Sequence, residues 1–248
     1  MEKNLMKGNE ALAEAAIRAG CKCFFGYPIT PQTELSAYMA KRMHKEGGVF
    51  LQAESEIAAI NMVLGAASTG VRAMTSSSSP GISLKSEGIS YIAGSDVPAV
   101  IKYTTVLADS INQVKAVGPI DVSVQTDLLR KASKLLKEVN SAMNKLSKLA
   151  DHKCRMPAMI LADGLLGQMM EPVQFPEIKA NSIDKSSWAA NGHGNKREHH
   201  IINSLYINAT DLEEQVIERY KRYDIIKENE TDAELYLTED ADIVVCAY

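Results

Sequence analysis

The 248-residue sequence predicts an α/β fold, a mostly parallel sheet flanked by helices with a carboxyl-terminal arm. Three observations carry this. Over the first two-thirds, helix-periodic segments alternate with short apolar runs of strand character. Glycine, proline and hydroxyl residues punctuate the joins. A 46% hydrophobic content is enough for a full core. The 27 Lys+Arg against 31 Asp+Glu leave a formal net charge of −4, which argues against nucleic-acid backbone binding as the main role. No run approaches about 18 uninterrupted apolar residues and the opening residues lack a signal-peptide pattern, so no membrane association and a cytoplasmic location are expected. Cys21, Cys23, Cys154 and Cys246 form no CxxC pair, so neither a zinc ribbon nor a chain-contained iron–sulfur cluster is expected.

The elements follow in order. Asn9 is placed to cap a helix through Ala19, with Ala11, Leu12, Ala15, Ala16 and Ile17 at helical spacing and Gly20 ending it. Residues 22–26 read as the first strand, with Cys21 and Cys23 at its entrance, two apart and so on one face. Thr30-Pro31 reads as a cap and first helical position, followed by Leu35, Met39 and Met43 on one stripe of a helix to His44. Residues 49–51 are a short strand, and 56–67 an Ala-, Ile- and Met-rich helix expected to be buried nearly all round. A strand at 71–75 runs into Ser76-Ser77-Ser78-Ser79-Pro80-Gly81, read as a hydroxyl-rich turn before a helix containing Leu84, Ile89 and Ile92. Such a turn lies at the sheet edge where ligands of open parallel sheets bind.

Further strands are expected at 98–103, 114–117 and 159–162. Between the last two, Leu128, Ala132, Leu135, Val139, Ala142, Leu146 and Leu149 repeat at 4-3-4-3 spacing over a helix at 121–150. Either a crossover helix on the sheet or a partner-docking helix satisfies that pattern. From Pro172 the apolar content falls, and the His193, Lys196, Arg197, His199 and His200 stretch reads as a solvated loop. A charged helix at 211–227 and a strand at 242–247 complete the pattern, giving a domain at 1–173, a linker or arm at 174–210, and the helix and first strand of a second domain at 211–248.

The segments GNEALAEAAIRAG (8–20), FFGYPITPQTEL (25–35), FLQAESEIAAINMVLGAASTG (50–70), TSSSSPGISL (75–84) and EGISYIAG (87–94) resemble the alpha subunit of 2-oxoacid:ferredoxin oxidoreductases. RMPAMILADGLLGQMMEPV (155–173), HHIINSLY (199–206) and DADIVV (240–245) extend the likeness, in the branched-chain and 2-oxoglutarate branch. The resemblance implies a pyrimidine-type thiamine-enzyme domain and oxidative decarboxylation of a 2-oxoacid to an acyl-CoA, with electrons passed to ferredoxin. Glu56 matches the glutamate that hydrogen-bonds the aminopyrimidine ring nitrogen of thiamine pyrophosphate, a catalytic and cofactor-binding role, and Tyr27, Pro28 and Ile29 match residues beside the cofactor. The apolar neighbours Ile57, Ala58 and Ala59 imply a poorly solvated carboxyl, and Glu54 is the weaker, solvated candidate. Thr30 matches the threonine that contacts the substrate carboxylate, and Ser77, Ser78 and Ser79, with Ser76, are expected to line the same pocket. A magnesium-diphosphate reading of Ala162-Asp163-Gly164 with Asn191 is rejected, because Pro172 and Pro176 interrupt the helix such a motif needs.

The family places Mg2+, the diphosphate site and the iron–sulfur cluster in a beta subunit, so a beta subunit, gamma and ferredoxin-like delta subunits, ferredoxin and coenzyme A are the implied partners. After the strand at 98–101 the family continues with an arginine and a glycine-rich loop; here the chain reads Lys102-Tyr103-Thr104-Thr105. That departure keeps a second reading open, a non-catalytic assembly module or shortened derivative of the same subunit.

Overall fold

The computed structural model describes residues 4–105, 155–175, 184–230, 238–240 and 242–243. The strand expected at 114–117 and the helix at 121–150 lie outside them, as does the strand at 242–247 apart from Asp242 and Ile243, which form a bend. The described elements are β1 (Asn4–Lys7), α1 (Gly8–Arg18), β2 (Cys23–Gly26), α2 (Thr33–Arg42), β3 (Val49–Gln52), α3 (Glu56–Ser68), β4 (Ala73–Ser78) and α4 (Ser79–Gly94). They continue with β5 (Ala99–Thr105), β6 (Pro157–Asp163), α5 (Gly164–Gln168), β7 (Met170–Val173) and α6 (Ala209–Glu230).

Five strands form a wholly parallel sheet in the order β3-β2-β4-β5-β6, and β1 pairs antiparallel with β7 in a two-stranded ribbon. Side chains alternate across the sheet. Phe24, Met74 and Ile160 pack with Leu12 and Ala16 of α1 and Leu35 and Met39 of α2. Ala73, Ala99 and Ile101 pack on the opposite face with Ile60 and Val63 of α3 and Ile92 of α4. Leaving β2 the chain moves outward to β3, and leaving β4 it moves the other way to β5, so the strand order reverses between β2 and β4. In an open parallel sheet that reversal opens a crevice at the strands' carboxyl ends.

Several local expectations are corrected. Asn9 does not cap α1; Lys7 is the N-cap, its backbone N–H donating to Glu10 Oε2 at 3.0 Å, and Asn9 is buried within the first turn. Thr30 does not cap α2 either. The Thr30–Pro31 peptide is cis, Gln32 N–H donates to the Ile29 carbonyl in a turn, and α2 starts two residues later at Thr33. It ends in a 3₁₀ turn at Met43–Glu46, closed by Gly47 at φ 65°, a left-handed conformation that favours glycine. Helix α3 is not buried all round: Glu56, Ala59, Ile60, Val63 and Ala67 face inward while Ile57 and Asn61 are exposed, because only one side meets the sheet. Cys21 precedes β2 rather than lying in it, so period-two alternation does not reach it; it packs with the α1–α2 core and Cys23 with the α3–α4 core.

Ser76, Ser77 and Ser78 belong to β4 and not to a turn. They pair in register with Lys102, Tyr103 and Thr104 of β5, and α4 begins immediately at Ser79 with Pro80 in its first turn. A central strand holds three consecutive serines because each hydroxyl has its own acceptor, described below. The arm packs against the end of α3: Ala190 N–H donates to the Ser68 carbonyl at 2.9 Å, Ala189 is buried, and Trp188 lies under the Arg155 guanidinium. Asp96 accepts from Arg219 and Arg222 and so ties α6 to the end of α4. Among the described residues no helix is long and apolar enough to cross a membrane.

Candidate functional site

The alternation of β4 sends its hydroxyls to opposite faces of the sheet, so two polar layers flank the crevice. On the α3–α4 face, Ser55 caps α3 by accepting from Ala58 N–H at 3.1 Å, which places Glu56 in the first helical turn. Its side chain is turned inward and is 3% exposed. Glu56 Oε1 accepts from the Ser77 hydroxyl at 2.5 Å, and Oε2 lies 2.5 Å from the Lys85 ammonium. Lys85 is itself fully buried and also donates to the Thr75 hydroxyl at 3.1 Å and to the Glu56 main-chain carbonyl at 3.3 Å. Burial pushes the Lys85 ammonium below its ordinary range while the hydrogen bond and charge of Glu56 pull it back up. Gly81 completes this corner: a Cβ there would collide with Ser77 Oγ and Glu56 Oε1, so only glycine lets α4 start this close to the carboxylate.

The apolar neighbours therefore do not make the setting of Glu56. Ile57 is 52% exposed, and the burial comes instead from β4 and α4, which also deliver a counter-charge. Glu54 is exposed, in line with its weaker candidacy. Lys85 and Gly81 lie outside the motifs that point to Glu56. Their signal is the stripe Gly81, Lys85, Gly88 and Ile92, which puts a lysine on the core-facing side of α4 while Leu84 is 56% exposed.

On the α1–α2 face, Ser76 donates to Gln32 Oε1 at 2.5 Å and Ser78 donates to the Thr30 carbonyl at 2.7 Å, closing the crevice between β4 and the segment after β2. Thr30 thus meets the serines through its backbone, and its side chain is exposed. Tyr27 and Pro28 are exposed and Ile29 half-buried in that same segment; Ser79 is half-buried at the start of α4. Lys102, in β5, is fully buried beside them, donating to Asn9 Oδ1 at 3.2 Å and to Thr104 Oγ1. Burial pushes its ammonium down to about 8, against the opposing pull of Glu34. Asn9 in turn donates to the Pro31 carbonyl at 2.9 Å and to Glu34 at 3.3 Å, and Lys7 and Gln168 cover Glu34 from outside. Gly8 and Gly167 allow this approach, since a Cβ on Gly167 would meet Asn9 Oδ1 at 2.7 Å and one on Gly8 the Leu166 carbonyl.

No group of three His, Cys, Asp or Glu side chains gathers among the described residues. Asp163 is the N-cap of the five-residue α5, without a side-chain capping bond, and Asn191 Oδ1 accepts from Arg197 at 3.1 Å.

The chain matches the family described as pyruvate flavodoxin/ferredoxin oxidoreductase, thiamine diP-bdg, over residues 14–234. The ketoisovalerate oxidoreductase subunit VorB of Methanothermobacter marburgensis is 38% identical over 257 residues, covering 100% of this chain and 72% of the relative. The chain belongs to the 2-oxoacid:ferredoxin oxidoreductase family. Within that family the 2-oxoglutarate synthase subunit KorA of Archaeoglobus fulgidus is 35% identical over 228 residues, 86% of this chain and 64% of the relative. A solved 2-oxoglutarate:ferredoxin oxidoreductase from Magnetococcus marinus, with 2-oxoglutarate, coenzyme A and succinyl-CoA bound, superposes with a TM-score of 0.71. It is 24% identical, and the match covers 93% of this chain and 46% of that one. This likeness supports the α/β fold, and the matched family model over residues 14–234 is described as thiamine diphosphate-binding.

Proposed function

We propose that this chain acts as the alpha-type subunit of a thiamine-dependent 2-oxoacid:ferredoxin oxidoreductase, which converts a 2-oxoacid to an acyl-CoA and passes the electrons to ferredoxin. One observation carries the reading: a buried carboxylate at the carboxyl edge of a parallel sheet, oriented by Ser77 and Lys85. A carboxyl has about four hydrogen-bonding positions, so Glu56, with Ser77 on one oxygen and Lys85 beside the other, keeps capacity for a further hydrogen bond. That remaining position fits the ring nitrogen of an aminopyrimidine through a proton shared between the two. When bound, the cofactor would supply a nucleophilic carbon and an electron sink for decarboxylation of the 2-oxoacid. Glu56 holds or shares the proton at the ring nitrogen, and Tyr27, Pro28 and Ile29 border the ring from the segment after β2. In this reading Thr30 and Ser79 take the substrate end, while the Ser77 and Ser78 hydroxyls, bonded to Glu56 and to the Thr30 carbonyl, shape the wall beneath it.

Asp163 and Asn191 do not fit the diphosphate with its magnesium, since the helix after Asp163 lasts only five residues and Asn191 Oδ1 is taken up by Arg197. In this reading a beta subunit holds that end of the cofactor and the iron–sulfur cluster, gamma and delta subunits complete the assembly, and the complex is cytoplasmic. Residues 1–173 are the cofactor-facing domain, 174–210 an arm, and 211–248 the helix and first strand of a second domain. The second reading, an assembly module, is favoured by one observation: residues 102–113 hold no arginine or glycine, and the Lys102 ammonium is spent on Asn9 and Thr104 inside the core. The deciding experiment co-purifies the chain with a beta subunit and follows viologen reduction with 2-oxoacids, thiamine diphosphate and coenzyme A. Glu56→Gln is expected to lower the rate at least about 100-fold with assembly intact. Full activity in that variant refutes the assignment, and an inactive wild-type complex selects the assembly module.

A further inference from the structure

The segment that carries Tyr27, Pro28, Ile29 and Thr30 has neither helix nor strand between β2 and α2, yet each carbonyl from Ile29 to Gln32 accepts a hydrogen bond. The Ile29 carbonyl takes the Gln32 N–H at 3.4 Å, that of Thr30 the Ser78 hydroxyl at 2.7 Å, and that of Gln32 the Leu35 N–H at 3.1 Å. Pro31 differs from the rest. Its carbonyl takes two side-chain amides, Asn9 Nδ2 at 2.9 Å from α1 and Gln168 Nε2 at 2.8 Å from α5, which fills both lone pairs. The same two amides also reach Glu34 Oε2, at 3.3 Å and 2.9 Å. Asn9 is fully buried and its Oδ1 accepts from Lys102, so its amide has a fixed orientation. Gln168 is exposed, with Oε1 accepting from Lys7 at 3.3 Å. Hydrogen bonds open to water add little to stability, because water replaces either partner. What Gln168 adds is geometry.

We propose that Gln168 and Asn9 are positioning residues for substrate: by gripping the Pro31 carbonyl from α5 and α1 they set where the Thr30 hydroxyl meets the carboxylate of a 2-oxoacid. This rests on the function proposed above. The Thr30 and Pro31 carbonyls are tied to three different elements, β4, α1 and α5, while the Thr30 side chain stays exposed. The backbone that carries the hydroxyl is thus fixed from both sides of the crevice wall. Such a hydroxyl grips the substrate carboxylate before the bond to it breaks, so misplacing it weakens substrate binding more than the chemical step. Glu56 is bonded to Ser77 on the other face of β4, so the cofactor end is independent of this clamp.

The test uses the assembled complex and three variants. Gln168→Met keeps the length of the side chain and donates nothing, Gln168→Lys restores a donor, and Asn9→Asp keeps the shape but turns an acceptor toward the Pro31 carbonyl and Glu34. Gln168→Met is expected to raise KM about tenfold, for ketoisovalerate or 2-oxoglutarate, whichever the wild type turns over faster, with kcat within about twofold. Its thiamine diphosphate affinity by calorimetry and its melting temperature are expected to stay at wild-type values. Gln168→Lys is expected to bring KM back to within about threefold of wild type. Asn9→Asp is expected to raise KM at least as far and to lower stability as well, and Gln168→Met at its exposed position decides the matter should Asn9→Asp not assemble. A wild-type KM in Gln168→Met, or a fall in kcat and cofactor affinity in step with the rise in KM, overturns the positioning role; with Glu56→Gln inactive in the same assay the function stands. A wild-type complex that turns over neither 2-oxoacid overturns both.

Discussion

Lys102 permits a prediction whose size follows from the structure. Its side chain is fully buried, with donors to Asn9 and Thr104 but no carboxylate in contact among the described residues, and its ammonium is depressed to about 8 from the ordinary 10.5. Between those values the unfolded chain binds more protons than the folded one, so stability rises with pH across that window. Below about pH 8 the folded protein carries the whole cost of the buried charge. At pH 7 linkage puts that cost at roughly 3 kcal/mol, and by pH 10 it is under about 1 kcal/mol. Lys102→Met removes the titration. It also strands Asn9 Oδ1 and Thr104 Oγ1, a loss of about 1–3 kcal/mol that does not change with pH. The stability of the variant relative to wild type is therefore expected to fall by roughly 2–3 kcal/mol from pH 7 to pH 10. Urea unfolding of the two full chains at four pH values reads it directly. A difference that stays flat across the range refutes the claim that a buried, uncompensated ammonium sits at this position.

Other outcomes follow from single contacts. Gly81→Ala drives a methyl into Ser77 Oγ and Glu56 Oε1, so thiamine diphosphate affinity of the complex is expected to drop at least tenfold while circular dichroism keeps its wild-type shape. Gly88→Ala meets Ile60 Cγ2 at 2.5 Å and is expected to cost about 1–3 kcal/mol in thermal or urea unfolding, without a specific effect on cofactor binding. Burial alone would raise Glu34, but hydrogen bonds from Lys7, its own backbone N–H and Gln168 outweigh it and hold the carboxyl down to about 2. The stability it contributes is thus complete above about pH 4.5 and lost as pH falls through about 2, a difference from Glu34→Gln visible in acid unfolding. Asp96→Asn keeps the left-handed backbone at φ 51° but weakens both arginine contacts, and is expected to expose 209–230 to limited proteolysis while the α/β body melts unchanged.

The repeating elements were legible because period is a local property. Phe24 of β2, the Leu35, Met39 and Met43 stripe, and the Ile60 and Val63 face of α3 all declare themselves within a few residues and are buried as expected. What was not legible depends on partners far away in the chain. Ser76 to Ser78 read as a turn because serine favours turns; only Gln32, Glu56 and the Thr30 carbonyl, brought across the crevice, make them a strand. Thr30 read as a cap, yet the turn around Pro31 delays the helix and puts the threonine's carbonyl to use instead of its hydroxyl. The β1–β7 ribbon escaped notice because it joins four-residue strands more than 160 positions apart. Glu56 was found through its surrounding segment, whereas its counter-ion 29 residues on was hidden by the habit of assigning lysine to the surface.

An ammonium grips a carboxylate less well than a bidentate guanidinium, but at Lys102 the geometry makes direction, not charge strength, decisive. Residue 102 alternates onto the α1–α2 face of β5, where Asn9 and Thr104 receive its amine, and nothing of it reaches the crevice surface. Placing the larger cation there is therefore not expected to create a grip on a carboxylate. Lys102→Arg adds volume to a closed pocket bounded by the close approach of α1 and α5 at Gly8 and Gly167, and overpacking of this kind costs about 1–3 kcal/mol. The expected result is a less stable chain whose complex shows no lower KM for any 2-oxoacid. A tenfold fall in KM would mean that position 102 can turn outward to the substrate, and the inward-facing polar layer would then be a resting arrangement rather than a fixed part of the core.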